Sequence, residues 1–148
     1  MQTEANKLDL YKDCFSRLVI DESPFYKVMH IVEIISEAKT GLGEVIHDYA
    51  DQSNRQLKEV INSGQNIVSG NYSQKDLDII YNSSYTLKIV NNLLRITPFA
   101  MRRNHADSIG RKEKISLEDI EITANKFFES DDVNRLLQSI DSEEVVLP

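Results

Sequence analysis

Six basic side chains and a histidine crowd residues 95–114: Arg95, Arg102, Arg103, His105, Arg111, Lys112 and Lys114. The same stretch holds two acids, so it is net positive by four, whereas residues 118–148 are net negative by seven and residues 1–94 by four. An arginine fork matches the geometry of carboxylates and phosphates. The chemistry open to this island is therefore recognition of anions. Three sources compete. The acidic C-terminal helices of the same chain are the plainest, because charge runs are usually solvated faces or weak pairs. An acidic surface on another protein comes next. Nucleic acid is less favoured, since the patch lacks interleaved aromatics and the whole chain carries −7. Phe99 and Met101 lie among the arginines and add residue types enriched at protein interfaces. The expected partner-binding set is Arg95, Phe99, Arg102, Arg103, His105, Arg111, Lys112 and Lys114.

Other chemistry-bearing residues form no complete constellation. Glu44 and His47 have the Glu-x-x-His spacing of di-iron helix bundles, but such a site needs two copies and two further inward carboxylates. Here there is one copy. His30, Glu33 and Glu37 share a helix face at ordinary spacing, which fits surface pairing better than metal ligation. Cys14 is the single cysteine, so no disulfide can close within the chain, and it sits on an apolar stripe. There is no Gly-x-Ser-x-Gly elbow and no glycine-rich phosphate loop. The expectation is no catalytic residue, no metal, no cofactor and no enzyme.

The stretches HADSIGRK at 105–112 and KISLEDIEI at 114–122 share a basic loop, a serine cap, Asp at the third helical position and an apolar face. Over about residues 105–126 the chain resembles the end of the long second helix, the second loop and the third helix of a histone fold. That resemblance implies a subunit of a nucleic-acid-associated assembly using residues 102–114, as a helix-turn-helix reading would. Pro98 departs from the pattern, because proline disfavours an uninterrupted long helix.

Helices must position these residues. Leu8, Tyr11, Cys14, Phe15 and Leu18 recur at helical spacing and predict a helix over 4–20. Ser23 caps and Pro24 opens a second helix, whose face is Phe25, Val28, Met29, Val32 and Ile35, widened by Ile31, Ile34 and Ala38. Residues 40–43 break it. A third helix carries Leu42, Val45, Ile46, Tyr49, Leu57, Val60 and Ile61, with a polar middle over 48–55 and Gly64 as its C-cap. Residues 65–72 read as a loop and the best internal boundary. Ser73 and Asp76 cap a fourth helix reaching about 96, with adjacent seams of Ile80, Leu87, Val90, Leu94 and of Ile79, Thr86, Leu93. Thr97 and Pro98 restart a fifth helix over 98–109, closed by Gly110. Ser116 and Asp119 open a sixth, and Ser130 caps a seventh that leads into a flexible acidic tail over 141–148.

A chain of 148 residues, 41% apolar and poor in Gly and Pro, closes one helical core. The fold class expected is all-α: an irregular bundle of about six or seven helices in one domain over 1–148, essentially without strand. No apolar run approaches a membrane span, and the polar, acidic amino end is unlike a secretory signal, which points to a cytoplasmic protein without a membrane partner. The function expected is that of a small acidic regulatory or adaptor protein acting through protein–protein contacts, self-association included. The alternative is the nucleic-acid-associated subunit.

Overall fold

The computed structural model describes residues 4–20, 22–38, 42–109 and 115–146, with the backbone alone at 4–6, 84 and 140–146. Seven helices run through the described residues: α1 (Glu4–Leu18), α2 (Pro24–Glu37), α3 (Glu44–Ser69), α4 (Gln74–Tyr81), α5 (Ser83–Arg103), α6 (Leu117–Glu129) and α7 (Asp131–Val146). A two-residue antiparallel pair, β1 (Ser108–Ile109) with β2 (Ile115–Ser116), joins α5 to α6. The all-α fold expected, essentially without strand, is what the described residues show, with this two-residue pair as the strand among them. Ile109 is buried, and Leu117 N–H reaches Asp107 O at 2.8 Å, so the clip fastens the α5–α6 connection to the core.

The organising element is α3. Its buried residues Ile46, Ala50, Ser53, Leu57, Val60, Gly64 and Ile67 fall three or four apart and make one continuous stripe. Around it pack α1, α2, α4 and α5. The polar middle is real, yet only one side of it: Asp48, Asp51 and Arg55 are exposed while Ala50 and Ser53 are buried. Gly64 does not cap α3. The helix runs on to Ser69 and stops at Gly70, whose φ of 86° is the left-handed conformation that glycine adopts freely. The loop expected over 65–72 shrinks to residues 70–73. Gly64 is instead where α1 comes closest: a Cβ there would stand 2.9 Å from Cγ and Cε1 of Phe15.

The break expected at Thr97 lies earlier, at Asn82. Asn82 Nδ2 donates to Asp78 O at 2.9 Å and Ser83 Oγ donates to Ile80 O at 2.6 Å. These side chains compete with the helix for its own carbonyls, which ends α4 and starts α5. Helix α5 then passes unbroken through Pro98. Proline there removes one ladder hydrogen bond, a cost of about 3 kcal/mol in a helix interior. Offsetting it, Leu93, Leu94, Thr97 and Met101 are buried on one face, and Thr97 Oγ1 donates to Leu93 O at 2.7 Å rather than capping a new helix. A long helix, a connection and a capped helix follow one another, an order common to many helical bundles, and the single residue Asn82 between α4 and α5 departs from the first loop of a histone fold.

The local caps hold. Tyr26 N–H reaches Ser23 Oγ, Ser73 with Asp76 and Ser116 with Asp119 form reciprocal capping boxes, and Val133 N–H reaches Ser130 Oγ. The segment expected as an acidic tail has helical backbone as far as Val146. Phe15, Phe25, Phe127 and Phe128 form a relay of ring contacts at 6.2, 5.8 and 6.0 Å that ties α1 and α2 to α6. Among the described residues no helix is long and apolar enough to cross a membrane.

Candidate interaction surface

The second half of α5 carries the described members of the cationic island. Its inner face is fixed by Leu93, Leu94, Thr97 and Met101, so helical geometry turns Arg95, Phe99, Arg102 and Arg103 outward. Phe99 is 67% exposed, a large apolar ring in water.

The three described arginines behave differently. Arg95 lays its guanidinium over the Phe128 ring, 4.9 Å from the centroid, and Nε reaches Asn91 Oδ1 at 3.3 Å. That is a cation–π contact with the chain's own α6. Arg102 donates through Nη2 to the Glu121 carboxylate, also on α6. Arg103 makes no ion pair among the described residues and is exposed. The island therefore divides: part of it serves α5–α6 docking, and Arg103 is left beside Phe99. Arg111, Lys112 and Lys114 lie outside the described residues.

His105 has a backbone role as well. Its φ is 56°, its N–H reaches Arg102 O at 3.2 Å, and the Ala106 N–H reaches Met101 O at 2.7 Å. This pair of bonds is a Schellman terminus with His105 in the left-handed position, so the residue ends α5 two turns before Gly110. No glycine marks the place, which is why periodicity carried the predicted helix on to 109.

The possible metal ligands are dispersed. His30, Glu33, Glu44 and His47 do not meet at ligand distance, and Glu33 pairs with Lys58 at 3.4 Å. The group that does converge among the described residues is Asp13, Cys14 and Asp132. Its carboxylates are already committed. Arg17 donates to Asp132 at 2.9 and 2.7 Å and to Asp13 at 3.0 and 2.8 Å, and Arg135 Nη1 donates to Asp13 at 2.8 Å. These bonds hold the Asp13 carboxyl well below the usual range, while burial pushes the Cys14 thiol up to about 11. A protonated, buried thiol between arginine-bound carboxylates is a poor metal ligand and an inert nucleophile. The cluster instead ties α1 to α7.

Compared with protein-family models, curated proteins and solved structures, the chain matches none.

Proposed function

We propose that this protein is a non-enzymatic regulatory or adaptor chain that binds an acidic surface on another protein through the C-terminal half of α5. The observation that carries the reading is Phe99, 67% exposed on a helix whose opposite face is fully packed, with Arg103, which makes no ion pair among the described residues, four residues on. Aromatic residues and arginine are enriched at protein interfaces, where a few buried anchors carry most of the binding energy. Ile122, exposed on the helix that Arg102 reaches, adds apolar area nearby. Nucleic acid is less favoured for a physical reason. Backbone binding needs several phosphates neutralised together, and here Arg95 and Arg102 are turned to the chain's own Phe128 and Glu121.

A photo-cross-linking phenylalanine at position 99 tests the reading against the same group at Tyr85, another exposed ring on α5. In native extract the proposal expects a discrete protein adduct from position 99 that acidic competitor peptides suppress, and none of that mass from position 85. Identical adducts from both positions, or nucleic acid in place of protein, would overturn it.

A further inference from the structure

Helix α5 runs antiparallel to α3. Ser63 of α3 donates to Asp76 in α4, and farther along Thr86 Oγ1 of α5 donates to Gln56 Oε1 of α3 at 3.0 Å, so residue numbers fall along α3 as they rise from α4 into α5. Val45 stands eleven residues before Gln56, and Thr97 eleven after Thr86. At a rise of about 1.5 Å per residue both intervals span about 16 Å. Val45 is therefore level with the turn of α5 that holds Ile96 and Phe99. These residues also share a side of the bundle. An open groove lined by Gln56 and Glu59 of α3 and by Tyr85 of α5 shows those sides facing the same way. Val45, Tyr49 and Gln52 lie eleven, seven and four residues before Gln56, while Ile96 and Arg103 lie eleven and eighteen after Tyr85. Such spacings return to the same side of a helix.

At the Phe99 end this side is apolar and open. Val45 is 62% exposed and Phe99 67%, with Tyr49 exposed and Ile96 half-buried between them. Farther along, Gln52, Gln56 and Asn92 take over. Single exposed apolar residues are ordinary, but apolar residues level with one another on two helices make a patch. The rims of the patch carry opposite charge. Helix α5 holds Lys88, Arg95, Arg102 and Arg103 and no acid. The first eight residues of α3 hold Glu44, Asp48 and Asp51 and no lysine or arginine. Glu44 and Asp48 are exposed, and like Arg103 they make no ion pair among the described residues.

We infer that this face binds a second copy of the chain across a two-fold axis parallel to α3 and α5. The inference deepens the reading of Phe99 and Arg103 as a contact surface, and it rests on that reading. With the axis so placed, α3 of one copy lies over α5 of the other. Val45 and Tyr49 cover the partner's Ile96 and Phe99, and Glu44 comes within reach of the partner's Arg103. The same contacts recur on the other side of the axis, as an isologous pair requires. An axis across the helices would instead lay α5 on α5, bases against bases with no acid to relieve them, and opposed like charges cost affinity. A different acidic protein is the competing occupant. The second copy is favoured because its own α3 brings the acid and the apolar pair at the matching level. About two turns on each of two helices make a small interface, so the dimer is a weak one.

Sedimentation equilibrium of the full chain from about 10 µM to 1 mM covers the range of such a complex. A monomer–dimer equilibrium is expected, weakened about tenfold or more in Phe99→Ala. Arg103→Glu and Glu44→Lys should each weaken it roughly tenfold, because each sets like charges together on both sides of the axis. An equimolar mixture of those two variants should regain the wild-type strength as a heterodimer, since every such contact again joins opposite charges. Circular dichroism of each variant checks that the helices persist. A wild-type chain that stays monomeric throughout overturns the inference. So does a dimer indifferent to Phe99→Ala, or a mixture no tighter than its components. A monomer that still gives a discrete protein adduct from position 99 in extract sinks the second copy alone and leaves the proposed function standing.

Discussion

Asp76 shows what one residue contributes. It is a buried carboxylate that accepts the Ser73 N–H at 2.9 Å, Ser63 Oγ at 2.9 Å and Asn66 Nδ2 at 3.2 Å. It therefore caps α4 and pins that helix to α3. The Ser73 backbone bond, then those from Ser63 and Asn66, lower its pKa against the opposing effect of burial. A carboxyl whose folded pKa is depressed stabilises the fold fully above its unfolded pKa and loses that contribution as pH falls through the folded value. Asp76→Asn should cost about 2 kcal/mol or more at pH 7, and the gap to wild type should narrow as pH falls below about 4. Urea titrations across that range measure it; a gap independent of pH would contradict the assignment. The cap was legible in sequence because Ser73 and Asp76 are three residues apart. Ser63 and Asn66 as partners were not, since nothing local ties the end of one helix to the start of another. The same holds at the surface. Phe99 and Arg103 were readable as candidates, but the pairing of Arg102 with Glu121 and of Arg95 with Phe128 needs α6 folded against α5.

At the scale of elements, the helices were legible from apolar spacing and their starts from Ser caps, while several ends were misplaced. Gly64 and Pro98 are breakers in isolation, yet both lie inside helices because packing outweighs local preference. Gly64 gives up helix propensity so that the Phe15 ring can lie against the α3 backbone. Gly64→Ala thus sets a propensity gain of about 1 kcal/mol against overpacking of about 1–3 kcal/mol. Because the obstructing group is a buried ring with nowhere to move, the net expectation is destabilisation, read as a lower urea midpoint. A raised midpoint would show that Phe15 can yield. Conversely Asn82, which does end a helix, carries a weaker signal than proline and was passed over. His105 ends α5 with no glycine to announce it.

The whole molecule is a bundle built on α3 and closed by α7. Val133 and Leu136 bury α7 against its neighbours, and Arg17, Asp13, Asp132 and Arg135 link it to α1 above the buried Cys14. These ion pairs are half exposed, so salt screens them. Cys14 then reports on the docking of α7. Its modification by a disulfide reagent should be slow in the native protein, and several-fold faster in Asp132→Asn or in molar salt while circular dichroism stays unchanged. Equal rates in all three cases would mean that the ion pairs do not hold α7. Of the exposed rings of α5, Phe99 with Arg103 beside it is the feature on which the proposed function rests. The most direct measurement is titration of the protein cross-linked at position 99 against Phe99→Ala/Arg103→Ala and wild type, with helix content followed alongside. The account predicts affinity reduced by about thirtyfold or more, as loss of an interface anchor implies, with helix content unchanged. Undiminished affinity in the double variant would contradict it.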